Sequence, residues 1–516
     1  MEKDTKLSEN DLIEARFKHL NDLKKAGYNP FASVSHRSMT SADARELWDA
    51  NANEWAEEPG LPSKKSASII IAGRIVALRA HGGATFADIQ DGFGKMQLLA
   101  QESQLKEKYN AWELFDLGDF IEVTGRLFLT KRGELTLHVD SFEFLTKSLR
   151  PLPDKWSGLE DTEKRYRERY ADLIANPEVK EIFRTRTRIV ATIRQFLEQN
   201  DFMEVETPIL QQIAGGATAK PFVTHYNAYD SEVFMRIAPE LYHKRLIVGG
   251  FERVYEFAKC FRNEGVDHSH NPEFTNLEFY VAYYDYQKLM DFTEEMLRIV
   301  VKAVHGKTSF KYGEHTIDFG PKIPRISFRD LVLEQSGIDI YKEDEASLKT
   351  KLKDLKIDFP PSAGFGKLCD YLYKAKVRSK IIQPIFMIDH PVELSPLAKK
   401  KDDKTVQRFQ LVVASDFELC NAFSELNDPV DQKERFENQA KLKEKGDDEA
   451  QPYDADFIRA LEYGMPPTAG FGMGIDRLTA LLTDSNTLRE VILFPYMRDV
   501  NAKSKIGSTG SLQVQN

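Results

Sequence analysis

The stretch MRIAPELYHKRLIVGGFERVYEFAKCFRNEGVDHSHNPEFTNLEFY, Met235–Tyr280, decides how the rest of the chain is read. Within it Arg262 and Glu264 stand two apart, which puts them on one face of a strand, and His270, Asn271 and Phe274 follow in a loop. A guanidinium at such a point can fork onto a carboxylate or a phosphate, and a ring beside it can stack on a base. An Arg-x-Glu pair by itself is more often a surface ion pair. The weight therefore falls on its neighbours.

Upstream, FLEQNDFMEVETPIL (196–210) reads as the end of a helix over 178–200 that runs into a strand, Glu204–Leu210, interrupted by Pro208. Downstream, GFGMGIDRLTALL (470–482) reads as a Gly-rich strand entering an apolar helix. Its glycines let backbone approach a ligand, and Arg477 opens the helix at the end that favours anions. Two similar-looking features fail. Gly306-Lys307-Thr308 has Val301 where a phosphate loop needs its first glycine, and His268 and His270 lack the thiols or third ligand of a metal site.

At roughly 150 residues per domain, 516 residues make about three or four domains. Lys and Arg number 71 against 81 Asp and Glu, and the resulting charge of −10 argues against an all-over electrostatic nucleic-acid binder, while leaving local patches open. No run approaches the ~18 apolar residues of a membrane span, and the N-terminal residues lack a secretory core. Cys260, Cys369 and Cys420 are scattered and odd in number, as in a reducing compartment. The expectation is a cytoplasmic protein with no membrane partner.

Residues 1–66 read as a helical extension, with a helix over 8–26 capped by Ser8 and Asp11 and ended by Gly27. Residues 67–146 carry five β-rich segments with one helix, about 102–116, between the third and fourth. That is the element order of an OB-fold barrel. A linker spans 147–177, an α+β domain 178–498 with a helical insertion at about 306–380, and a disordered tail 499–516. From Lys147 to Arg194 there are 12 Lys and Arg against 8 Asp and Glu, which fits either a solvated helix face or a track for a phosphate backbone.

The ordered trio of segments resembles motifs 1, 2 and 3 of the class II aminoacyl-tRNA synthetases. From about residue 8 to 498 the chain is similar to the lysyl-tRNA synthetase family, through RPLPDKWSGLEDTEKRYRERYADL, GGATAKPF, APELYHKRL, FRNEG, HNPEFT, DHPVELSPLAK and ELCNAFSELNDP in order and spacing. The resemblance implies a multidomain α+β fold: an N-terminal OB-fold β-barrel that binds the anticodon, and a catalytic antiparallel sheet flanked by helices. It implies a homodimer formed through the segment around Pro208. The implied reaction activates L-lysine with ATP to lysyl-adenylate, then transfers lysine to the 3′ end of tRNA(Lys), releasing pyrophosphate and AMP.

Carried over by the same resemblance, Arg262 grips the α-phosphate and the lysine carboxylate. Glu264, His270, Asn271 and Phe274 hold the nucleotide, and Arg477 takes the γ-phosphate. Gly216, Glu240 and Glu278 frame the α-amino group, with Asn421 near the carboxylate. Tyr280, Phe423 and Glu425 form the side-chain pocket, and Glu418 helps coordinate Mg²⁺. In the barrel, Phe86 matches the ring on which an anticodon base stacks, and Arg74, Gln97 and Glu134 match positions that read base edges. One departure stands out: Gln410 occupies the place of a second metal-binding glutamate, and its spacing to Glu418 is one residue longer than the family's. The number of Mg²⁺ ions, and any compensation by Asp416, stays open. Aspartyl and asparaginyl relatives share barrel and motifs, but Glu240, Glu278, Tyr280 and Glu425 suit a long amine rather than a short acid or amide.

Overall fold

The computed structural model describes residues 8–56, 65–153, 159–265, 267–268, 270–415, 417–444 and 452–499, with side chains described only to 441 in the sixth segment. The expected tail and Asp416 lie outside the described residues. Two compact units are present, Met1–Glu160 and Asp161–Asn516.

In the first unit, strands β1 (Ser68–His81), β2 (Ala84–Gln90), β3 (Lys95–Gln101), β4 (Phe120–Leu129) and β5 (Leu135–Thr146) close in the order β1-β2-β3-β5-β4, the OB arrangement. Alternation fills the interior: Ala87 and Ile89 of β2 and Met96 and Leu98 of β3 are buried, while Phe86 and Gln97 are half-exposed on the outer face. The helix expected at 102–116 is shorter and differently wound. One α-helical turn, Glu102–Leu105, ends at Lys106 with φ 52, and a 3₁₀ segment, Lys106–Leu114, follows. Two helices precede the barrel, Glu9–Lys25 and Ser41–Trp55. Ser8 and Asp11 close a reciprocal capping box on the first.

The second unit is organised by an eight-stranded sheet. Its strands are β6 (Met203–Glu204), β10 (Arg253–Phe261), β11 (Glu273–Ala282), β14 (Arg325–Ser327), β15 (Ile385–Ile388), β16 (Arg408–Val413), β17 (Phe417–Ser424) and β18 (Thr468–Gly474). The order is β14-β15-β16-β17-β18-β11-β10-β6, antiparallel except at its two edges, β14–β15 and β10–β6. Between β6 and β10 lie β7 (Leu210–Gln211), β8 (Val223–Tyr226) and β9 (Ser231–Met235), a small separate sheet. The strand expected over 204–210 is thus split around Pro208, which has no N–H to give a ladder. The segment at 306–380 is not all helical: it opens on the hairpin β12 (Ser309–Tyr312) and β13 (His315–Asp318) before its helices begin at Phe328. Gly306 is the left-handed cap of helix Tyr286–His305, with φ 73, which accounts for the glycine of the rejected phosphate loop.

Each strand of the large sheet divides its residues between two environments. Leu277, Phe279 and Val281, Phe409 and Leu411, and Ala469, Phe471 and Met473 face a core built with helices Pro177–Gln199, Tyr286–His305 and Ile475–Leu482. Burying such side chains contributes on the order of 1.5–3 kcal/mol each. The intervening residues, Glu278, Tyr280, Arg408, Gln410, Gly470 and Gly472, line a cavity on the opposite face. The core fixes the sheet, and the sheet's period of two aims the polar set.

Candidate active site

The cavity is about 940 Å³, and Gly216, Glu240, Arg262, Glu264, His270, Asn271, Phe274, Glu278, Tyr280, Gln410, Glu418, Asn421, Phe423, Glu425 and Arg477 all line it. Pro208, Arg74, Phe86, Gln97 and Glu134 are not among the residues lining it.

At one end, Arg262 and Glu264 sit just beyond β10 rather than on its face, since the strand stops at Phe261. The Arg262 N–H donates to Pro272 O (2.9 Å), closing the loop, and the guanidinium lies 5.1 Å from the Phe274 ring centroid. Its Nε is buried without a hydrogen-bond partner among the described residues, and so is Asn271 Oδ1. Buried polar atoms are normally paired, so these two are set for a ligand's groups. His270 Nδ1 is 3.0 Å from the Asp267 carboxylate. Across the sheet Arg477, in the first turn of helix Ile475–Leu482, donates from Nη1 to Glu418 O (3.2 Å).

The other end is acidic and buried. Glu240, Glu278 and Glu425 are all buried. Asn276 Nδ2 (2.9 Å) and the Tyr280 hydroxyl (3.1 Å) donate to Glu278. Burial, with the Glu240 carboxylate nearby, still pushes the Glu278 carboxyl up to about 8. Burial likewise raises Glu240 and Glu425, against the pull of Lys244, whose ammonium lies 2.7 Å from Glu240 Oε1 and 2.5 Å from Glu425 Oε2. Glu425 Oε1 has no hydrogen-bond donor among the described residues. Gly216 has φ 89, and a Cβ there would meet Glu240 Cβ at 3.0 Å, so the wall at this point needs glycine.

Between the ends, Asn421 Oδ1 accepts from Arg408 Nε (2.7 Å), and Gln410 Oε1 is 3.1 Å from His390 Nε2. Glu418 reaches the cavity through a bulge. Leu411 pairs with Cys420 but Val412 pairs with Glu418, leaving Leu419 over. Asn421 and Phe423 share one phase of β17, which Glu425 continues one residue past its end, and without the bulge Glu418 would fall on the core face. Gln410 keeps the cavity face despite the longer spacing to Glu418. Among the described residues no group of three or more His, Cys, Asp or Glu is placed to hold a metal ion.

Sequence reasoning missed the residues behind this wall. Glu256 accepts from Arg236 Nη1 (2.6 Å) and Thr207 Oγ1 (2.7 Å), and lies 3.1 Å from His243 Nε2. It also missed Asp476, which lines the cavity, pairs with Arg186 at 2.6 Å and accepts from the Thr275 N–H. Lys244 was visible as the i+4 neighbour of Glu240, a spacing that brings two side chains together on a helix.

In the barrel, Phe86 pairs across the sheet with Arg79 and Leu99, and Gln97 with Asp88, on the outer face. Phe86 is therefore not barrel core. Glu134 is exposed in the β4–β5 turn, and its carbonyl shares the Thr136 hydroxyl with Gln97 Oε1. Arg74 donates to Gly118 O (3.2 Å) and lies over the Phe120 ring at 4.3 Å. The positive run is largely neutralised from within. Lys147 is buried between Asp116 and Asp119, and Arg165, Arg167, Arg169, Arg184, Arg186 and Arg194 each pair with an acid.

Comparison with known proteins agrees with this geometry. Residues 161–498 match the family described as tRNA synthetases class II (D, K and N), and residues 69–145 match the OB-fold nucleic acid binding domain. A lysine–tRNA ligase of Carboxydothermus hydrogenoformans is 48% identical over 493 residues, covering 95% of this chain and 98% of the relative. Lysine–tRNA ligases of Staphylococcus epidermidis and Bacillus cytotoxicus are each 46% identical, covering 95% of this chain and 99% and 97% of those relatives. The chain belongs to the class II tRNA synthetases, in the lysine–tRNA ligase branch.

Proposed function

We propose that this one cavity carries both steps of ATP-dependent lysine–tRNA ligation, with its basic end on the nucleotide and its acidic end on the amino acid. In the first step a lysine carboxylate oxygen attacks the α-phosphorus and pyrophosphate leaves. In the second, a hydroxyl of the tRNA's 3′-terminal ribose attacks the acyl carbon and AMP leaves. The attacking carboxylate is already ionised, so adenylation needs positioning and charge neutralisation rather than a base. Arg262 bridges the α-phosphate and the lysine carboxylate, and Arg477 takes the γ-phosphate. Phe274 stacks on the adenine, while Glu264, His270 and Asn271 hold the rest of the nucleotide. Gly216, Glu240 and Glu278 receive the α-ammonium, Asn421 stands by the carboxylate, and Tyr280, Phe423 and Glu425 enclose the side chain.

The donor set fits Mg²⁺. Glu418 offers a carboxylate on the cavity wall and Gln410 a neutral oxygen, and Mg²⁺ typically binds through one or two carboxylates plus substrate phosphates. When bound it neutralises phosphate charge. With an amide at 410, one tightly held ion is the reading we adopt.

The barrel face carrying Phe86, Gln97 and Glu134, together with Arg74, receives the anticodon of tRNA(Lys). Around Pro208 the side chains of Met203, Ile209, Leu210, Ile213, Val223 and Tyr226 are exposed, an apolar surface suited to a second copy of the chain and hence to a homodimer. No helix of the described residues is long and apolar enough to cross a membrane. The three buried, unpaired cysteines suit the cytoplasm.

The observation that carries this reading is the buried set Glu240, Glu278 and Glu425 at the end of the cavity opposite Arg477, a receptor for a diamine rather than for an acid or an amide. Pyrophosphate exchange with each proteinogenic amino acid in turn tests it. Exchange with lysine is expected; exchange with aspartate or asparagine instead, or with none, overturns it.

A further inference from the structure

Lys244 does not line the cavity, yet its ammonium is fully buried directly behind it. It lies on helix Glu240–Val248, one turn after Glu240, and reaches Glu240 Oε1 at 2.7 Å and Glu425 Oε2 at 2.5 Å. The Phe423 and Phe457 rings flank the ammonium at 5.7 and 5.9 Å. Both carboxylates it touches also line the cavity.

We infer that Lys244 is a positioning residue for amino-acid recognition: by joining Glu240, the acceptor for the substrate's α-ammonium, to Glu425, the acceptor for its ε-ammonium, it fixes the distance between the two ends of the pocket. The inference rests on the pocket roles proposed above. Lys244 ion-pairs with one oxygen of each carboxylate, Glu240 Oε1 and Glu425 Oε2; at Glu425 neither oxygen has a hydrogen-bond donor among the described residues, so with Oε2 against the ammonium Oε1 is the one left for the ligand. With lysine bound, three buried carboxylates meet three ammoniums, two from the substrate and one from the chain. Without Lys244 the two acceptors would lose their common anchor, and a buried negative charge would stand uncompensated. The length of the pocket, and so the preference for lysine over its one-methylene-shorter homologue ornithine, would be held less firmly.

Lys244→Met, which keeps the stem and removes the charge, tests this in pyrophosphate exchange. The lysine KM is expected to rise by about 100-fold, the order of a broken buried ion pair, while the ATP KM stays within about twofold. Discrimination against ornithine is expected to fall by about tenfold. In a Glu425→Gln background Lys244→Met should add little, because it acts through that carboxylate. A purely structural ion pair would instead raise both KM values and lower the yield of folded enzyme, with effects that add. Lys244→Gln, which keeps a donor, is read the same way and should fall between wild type and Met. An unchanged or lower lysine KM, additivity with Glu425→Gln, or failure of both variants to fold overturns the inference. If Glu425→Gln itself leaves the lysine KM unchanged, the pocket assignment fails; if only Lys244→Met does so, the pocket stands and the inference falls.

Discussion

Gly470 backs directly onto Glu425: a Cβ at this position would fall on Glu425 Oε1 and lie 2.6 Å from the Tyr280 ring. Gly470→Ala should therefore intrude on the ε-ammonium site. The kcat/KM for lysine in pyrophosphate exchange is expected to fall about 100-fold, the order of an overpacked site, with ATP binding measured alone little changed. A wild-type lysine KM would place the side-chain pocket elsewhere.

In the proposed reaction Arg262 acts through a guanidinium fork that a lysine side chain cannot supply. Arg262→Lys keeps the charge but loses bidentate reach, so kcat for exchange should drop on the order of 100-fold, as when a transition-state donor is removed. KM for lysine should change less. A raised lysine KM with kcat unchanged would mean that Arg262 serves ground-state binding instead.

Glu278 gives the free enzyme a pH signature. Burial and the Glu240 carboxylate hold its carboxyl up to about 8, so below that pH it is largely protonated and a poor partner for an α-ammonium. The kcat/KM for lysine should rise as pH rises through about 8, and Glu278→Gln should remove this limb while lowering the plateau. Stability runs the other way. A carboxyl raised above its unfolded value makes its full contribution below the unfolded pKa and loses it as pH rises through the folded one. Wild type should thus lose Tm relative to Glu278→Gln between about pH 5 and pH 8, with lysine restoring it.

Phe86 stands half-exposed on the outer face of the barrel and is not among the residues lining the cavity. Phe86→Ala should raise the KM for tRNA(Lys) by about 10- to 100-fold, the worth of one base stack, and leave lysine-dependent exchange intact. A parallel loss of exchange would argue for misfolding.

Much of this architecture is legible from period and spacing. Alternation in NLEFYVA and GFGMG separates core from cavity without coordinates, because a strand offers only two faces. The barrel's element order is equally local. What escaped reading depends on contacts remote in sequence. Lys244 and Glu425 stand far apart along the chain and meet only when β17 lies beside β18 and helix Glu240–Val248 packs behind them. The run from Lys147 to Arg194 leaves both a solvated face and a phosphate track open in sequence, because half of its pairing depends on Asp116, Asp119, Glu204 and Asp476 outside the run, beside Glu163, Asp172 and Glu181 within it. Hairpin β12–β13 was hidden by its short strands, which carry too little pattern to stand against a helix reading.

The bulge at Leu419 makes β17 a strand with two phases, one for Asn421 and Phe423, which Glu425 continues past its end, and another for Glu418. In the proposed reading, selection of the amino acid and grip on the nucleotide are thereby written along one stretch of chain but in separate reading frames. A change of length on the phosphate side of the bulge leaves the alternation from Asn421 to Glu425 untouched. The strand can therefore vary what it presents at Glu418 without disturbing the residues it presents from Asn421 onward.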